Sequence, residues 1–129
     1  RVAEALNAHR KPVNGSRVLI LGMAYKPDID DYRETPAIRV MESLIARGAE
    51  VDYNDPFIPR IPATTRQTSR QPVGVDLSPE ALAGYDCVVV ITNHSCYDWQ
   101  WIVDHSRIVV DTRNACAGVV RGKEKVFKA

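Results

Sequence analysis

The chain has 129 residues, 45% of them hydrophobic and 26% charged, values that suit one compact globular domain around a buried core. Seventeen basic against sixteen acidic residues leave a formal charge of +1, with no block of five like charges, which argues against a broad nucleic-acid or membrane-surface field; any anion site must be local. Three cysteines (Cys87, Cys96 and Cys116) without CxxC spacing, and three scattered histidines, argue against a disulfide scaffold or a zinc site and fit a reducing cytoplasm.

In chain order, residues 1–10 place Val2, Ala5, Leu6 and His9 on one helical stripe, which Pro12, Asn14 and Gly15 break. The chain opens RVAEALNAHRK with no methionine and no signal peptide, and reads as the tail of a helix that began earlier, so a fragment is expected. Val18–Leu21 is a continuous apolar run ending at Gly22, as in a strand buried on both faces. It and CVVVI at 87–91, the longest apolar runs, are far too short to cross a bilayer. After a charged stretch without apolar period, Thr35 and Pro36 start a helix as N-cap and first helical residue. Ala37, Val40, Met41, Leu44 and Ile45 recur at helical spacing, and Gly48 closes the helix.

Glu50–Tyr53 reads as a second strand, closed by Asn54-Asp55-Pro56, and 57–71, with two prolines, as an irregular, mobile loop. Val73–Val75 suggests a short strand, and Ser78-Pro79-Glu80 starts a short helix up to Gly84. Asp86–Thr92 and Arg107–Thr112 read as further buried strands around a helix over Trp99–His105. Val119–Phe127 adds a small strand or hairpin. Strands alternating with helices predict a three-layer, Rossmann-like, doubly wound α/β domain with a mainly parallel sheet.

In such sheets ligands bind beyond the carboxyl ends of the strands, near a topological switch point. Segments 22–34, 92–98 and 111–114 should therefore converge at one edge. A dinucleotide fingerprint needs GxGxxG, and only Gly22 is present. Asp55 superficially resembles the acidic ribose ligand of that fold but comes more than thirty residues after Gly22, where the fingerprint expects about twenty. NAD binding by this domain alone is disfavoured, and no GxxxxGK phosphate loop occurs. Lys26 and Arg33, seven positions apart, combine a point charge with a planar fork and suit a diphosphate. The alternative is a solvated loop whose charges pair with Asp28, Asp30, Asp31 and Glu34. Arg113 is a candidate for the same site by its strand-end position; the alternatives are a salt bridge with Asp111 or an outward-facing arginine. His94 lies at a strand end, where proton transfer is conceivable, but a hydrogen-bonding or exposed role is the commoner one. None of the cysteines shows an activating pattern, so core packing or an inert surface is expected of each. Trp99 and Trp101 are expected to pack a helix on the sheet rather than stack on a base.

The run GMAYKPDIDDYRETPAIRVMESLIARGAEVDYNDPFIP, followed in order by YDCVVVITNHSCYDW and IVVDTRN, resembles the C-terminal domain of the UDP-glucose/GDP-mannose dehydrogenase family over residues 10–129. The resemblance implies a Rossmann-like domain that holds the nucleoside diphosphate of a sugar nucleotide. By the same likeness Tyr25 and Lys26 match the aromatic-lysine pair lining that site, and Arg113 a strand-end arginine on the substrate side. Arg33 matches an arginine reaching toward the cofactor and active-site cleft. Residues 1–11 match the tail of an inter-domain helix that helps form a homodimer or higher oligomer, and 12–129 the nucleotide-sugar domain. The family's NAD fingerprint and its catalytic cysteine, in a GGSCxPKD-like context, are absent from this sequence. The intact enzyme is expected to oxidise the C6 alcohol of a UDP-sugar to a carboxylate with two NAD⁺, through a cysteine-bound thiohemiacetal, making uronates for surface polysaccharide; the chain alone is not. KPDIDDYRETPA and HSCYDW look closer to members acting on UDP-N-acetylhexosamines. A free-standing nucleotide-binding or regulatory module is the competing reading, separable by whether GxGxxG and GGxCxPK-like segments lie upstream.

Overall fold

A computed structural model of the chain describes residues 2–24, 26–28, 35–58 and 72–129. In chain order these form α1 (Val2–Ala8), β1 (Arg17–Leu21), α2 (Pro36–Ala46), β2 (Glu50–Asn54), α3 (Pro79–Ala83), β3 (Cys87–Val90), α4 (Trp99–His105), β4 (Val109–Asp111) and β5 (Val126–Lys128). A short 3₁₀ turn over Lys123–Lys125 leads into β5.

The sheet has the order β2-β1-β3-β4-β5, and every neighbouring pair is parallel. Parallel strands joined by helices are covered on both faces, which is why β1, β3 and β4 read as unbroken apolar runs rather than alternating ones. Their side chains divide strictly by parity. Val18, Ile20, Cys87, Val89 and Val110 enter one core with Ala5 and Leu6 of α1 and Ala37, Met41 and Leu44 of α2. Leu19, Leu21, Val88, Val90 and Val109 enter a second core with Leu82 of α3 and Ile102 and Val103 of α4. The expected three layers are thus present, built on two cores, and α1 is packed into the first of them.

Local capping sets the helix ends. As the sequence predicts, Thr35 accepts the Ala37 backbone N–H and Ser78 that of Ala81; Asp98, not anticipated as a cap, accepts that of Trp101. Gly48, at φ +91°, ends α2 by donating to the Ile45 carbonyl, while Ala49 donates to Leu44. This paired closure needs a left-handed residue just past the helix.

Three strand expectations change, and one that had two forms is decided. β3 and β4 are shorter than 86–92 and 107–112, because their flanking residues turn into the loops at each end. Val73–Val75 is reduced to one bridge between Gly74 and Tyr53, closed by two backbone hydrogen bonds. Of the small strand or hairpin expected over Val119–Phe127, the strand forms, as a fifth parallel strand against β4. Residues 59–71, most of the loop expected to be irregular, lie outside the described residues.

Candidate functional site

Because all five strands run the same way, their carboxyl ends share one edge, and the described parts of the three expected segments meet there. The strand order reverses between β1 and β3, whose following helices lie on opposite faces, making this the switch point. The crevice at that point is closed by protein. Gly22, at φ +91°, lies so close to Thr92 that a Cβ on it would fall 2.4 Å from both the Cβ and the carbonyl oxygen of Thr92. The Thr92 hydroxyl donates to the Ala24 carbonyl at 2.6 Å. Open space lies one strand further along, a cavity of about 460 Å³ lined by Asn93, Asp111, Thr112, Arg113, Asn114 and the last two residues, Lys128 and Ala129.

Arg113 reaches this cavity because of Asp111. The buried Asp111 carboxylate accepts the backbone N–H groups of Arg113, Ala115 and Cys116 at 3.0, 3.0 and 2.8 Å. A left-handed Asn114 (φ +57°) lets the chain wind round it. The acid therefore serves the backbone and forms no salt bridge with the Arg113 side chain. That side chain is exposed, its Nε 3.5 Å from Asn93 Oδ1, and among the described residues no carboxylate pairs with its guanidinium. An arginine free of carboxylates beside a strand-end cavity can offer its planar donors to an oxyanion.

Lys26 is exposed in the loop after β1. That loop is held by backbone bonds on both sides of the lysine. Before it, Asp55 Oδ2 accepts the N–H groups of Met23 and Ala24 at 2.8 and 2.9 Å. After it, the Asp28 N–H donates to His94 Nδ1 at 2.7 Å, and the Asp28 carboxylate accepts the Ser95 N–H at 2.7 Å. The Ser95 N–H holds the exposed Asp28 carboxyl below the usual carboxylate range. Asp55 is fully buried, and its other partners are the Phe57 N–H on Oδ1 and His94 Nε2, 2.8 Å from Oδ2. With four donors on two oxygens, it caps a loop. Nothing remains of the ribose-binding role that its position superficially suggests.

Sequence reasoning treats His94 as a hydrogen-bonding or exposed loop residue; the structure buries it completely, against the rings of Phe57 and Tyr97. The Asp55–His94–Asp28 chain is the part of this edge that the sequence does not reveal. Its only local trace is an Asp-Pro strand end, and its members stand 39 and 66 positions apart. Tyr25 and Arg33 lie outside the described residues. The cysteines match expectation: Cys87 and Cys116 are buried and Cys96 is exposed on the 92–98 loop. Trp99 and Trp101 pack against the second core.

Fold and edge together define a doubly wound α/β domain with cationic side chains at the carboxyl ends of β1 and β4. The chain belongs to the UDP-glucose/GDP-mannose dehydrogenase family, whose UDP binding domain matches residues 19–118. It is 34% identical over 109 residues to the UDP-glucose 6-dehydrogenase AglM of Haloferax volcanii, a match covering 81% of this chain and 24% of that protein. It is 34% identical over 94 residues to the UDP-N-acetyl-D-mannosamine dehydrogenase of Campylobacter jejuni, covering 72% and 23%. Among solved structures, the NDP-N-acetyl-D-galactosaminuronic acid dehydrogenase of Methanosarcina mazei shares the fold, with a TM-score of 0.74 at 24% identity over 99% of this chain and 27% of that one. The chain thus spans about a quarter of the length of the relatives it matches.

Proposed function

We propose that this chain holds the nucleoside diphosphate of a UDP-sugar at the carboxyl edge of its sheet, as the substrate-binding domain of an NAD-dependent UDP-sugar 6-dehydrogenase. The observation that carries the reading is the strand-end cavity beside an Arg113 whose guanidinium has no carboxylate partner among the described residues. Arg113 contributes a planar fork and Lys26 a point charge to the two phosphates. The family likeness assigns Tyr25 to the same site and Arg33 to the cofactor side of the cleft.

In the complete enzyme the sugar C6 alcohol is oxidised to a carboxylate in two two-electron steps, with two NAD⁺ as acceptors. The residues of this chain do not suit NAD: Gly22 stands without its companion glycines, and both Asp55 oxygens are occupied by the protein. The oxidation therefore belongs to the remaining domains of the same polypeptide, which supply the NAD site and the reacting cysteine, while this chain binds and orients substrate. Residues 1–11 belong to the helix joining the domains and take part in a homodimer or higher oligomer. The reading further places the enzyme in the cytoplasm, making uronates for surface polysaccharide. In support, the three cysteines are free, and among the described residues no helix is long and apolar enough to cross a membrane. The wording of 26–37 favours a UDP-N-acetylhexosamine as the sugar nucleotide.

The test is calorimetric titration of UDP into the full-length polypeptide and its Lys26→Ala and Arg113→Ala variants. Each substitution removes charge-assisted hydrogen bonds worth ~1.5–3 kcal/mol, roughly a tenfold to hundredfold loss of affinity. Unchanged affinity in both variants refutes the assignment.

A further inference from the structure

His94 is the one histidine on the nucleotide edge, and both its ring nitrogens are committed. Nδ1 accepts the Asp28 backbone N–H at 2.7 Å, so it carries no proton. The ring proton must therefore sit on Nε2, which donates to Asp55 at 2.8 Å. This fixes one tautomer of a fully buried imidazole. Through it, the end of β2 is tied to the far side of the loop that carries Lys26, while Asp55 holds the near side through Met23 and Ala24.

We propose that His94 is a positioning residue for nucleoside diphosphate binding: in its Nε2–H tautomer it anchors the Asp28 N–H and so presents Lys26 to the phosphates. The proposal rests on the reading of Lys26 given above. A loop that must hold one cation against a diphosphate gains from being ordered beforehand, since the entropy of ordering it is then not lost on binding. The groups facing the ring are Asp55 from the end of β2, Asp28 from the Lys26 loop (carboxylate 3.8 Å from Nδ1) and Tyr97 from its own loop. Burial, then the nearby Asp55 charge, keeps the Tyr97 phenol neutral far above its ordinary range, leaving the two carboxylates as the charges around the ring among the described residues. A second proton on His94 would set a ring N–H against the Asp28 N–H and release the loop.

Two isosteric replacements separate positioning from packing. In His94→Asn the amide oxygen stands where Nδ1 stood and still accepts from Asp28. In His94→Gln the amide nitrogen stands where Nε2 stood and still donates to Asp55, but the Asp28 anchor is lost. UDP titrated calorimetrically into the full-length polypeptide should bind His94→Asn within about twofold of the parent. His94→Gln should bind about fivefold to tenfold more weakly, the worth of one net hydrogen bond of ~1 kcal/mol. Lys26→Ala in the His94→Gln background should cost less than in the parent, because the lysine is already misplaced. Equal affinity in parent and His94→Gln, with Lys26→Ala still weakening the parent, overturns the positioning role and leaves the nucleotide reading intact. A parent indifferent to Lys26→Ala overturns that reading itself. Because either variant can fold poorly, the ¹⁵N spectrum of the parent's His94 imidazole is the second measurement. An unprotonated Nδ1 with a protonated Nε2 at neutral pH supports the proposal, and the opposite tautomer or a doubly protonated ring overturns it.

Discussion

The three thiols illustrate how far one residue's setting decides its chemistry. Burial pushes the Cys87 thiol up to about 12, and burial with the nearby Asp111 does the same to Cys116. Thiolate is the reactive form, so both should resist a thiol reagent at pH 8, while the exposed Cys96 reacts. One fast thiol per chain in native buffer and three in denaturant is the expected count; two or more fast thiols in the native chain would show the cores to be accessible. The same shifts set the alkaline limit. Both thiols have a folded value above their ordinary 9.0, so the stability they favour is complete below pH 9 and declines as pH rises toward about 12. Asp86 sets part of the acid limit. Burial opposes its charge, but the Lys11 ammonium, the Arg17 N–H and the Arg107 guanidinium outweigh burial and lower its pKa below 3.8. Its contribution is present above that value and lost as pH falls through the lowered one. Melting temperatures followed across pH should form a plateau near neutrality that falls on both sides, and a melting temperature still rising at pH 10 would contradict the thiol assignment.

At the scale of elements, the closest contact is between the end of β1 and the loop after β3. Gly22→Ala would drive a Cβ into Thr92 backbone at φ +91°, a combination expected to cost about 3 kcal/mol or more. Urea unfolding should show that loss, whereas Thr35→Ala, which removes one helix cap, should cost only ~1 kcal/mol. A Gly22→Ala variant as stable as the parent would mean that β1 and β3 are not joined as described. Helices were the legible elements, because caps such as Thr35 and Ser78 act within three residues of themselves. β1 was legible to within one residue, and β3 and β4 as buried runs but not in length, since strand ends depend on which carbonyl a neighbouring strand offers. β5 was legible only as a small strand or a hairpin, because its direction follows from pairing with β4, some fifteen residues earlier, and no local residue encodes that. The site divides the same way. Lys26 and Arg113 were visible as charges at strand ends, while the buried carboxylates that set their surroundings, Asp55 and Asp111, only acquire meaning once the loops meet.

For the whole molecule, two cores on either side of one sheet leave the carboxyl edge as the place where loops from β1, β3 and β4 can be tuned without disturbing either core. The chain spans about a quarter of its relatives' length, and in the proposed division of labour it binds substrate while the oxidation belongs to other domains. The full-length polypeptide should reduce NAD⁺ with a UDP-sugar, followed by absorbance of the reduced nicotinamide, and the 129 residues alone should show no turnover. Turnover by the short chain would defeat this division of labour. The inward-turned Asp55 sets this domain apart from dinucleotide-binding sheets of similar outline. An acid at the end of the second strand, free to grip a ribose in those proteins, is here an internal staple for the first loop. Building a dinucleotide site here would thus require a substitute anchor for Met23, Ala24 and His94 before any glycine was added. That dependence puts such a conversion beyond the reach of single substitutions.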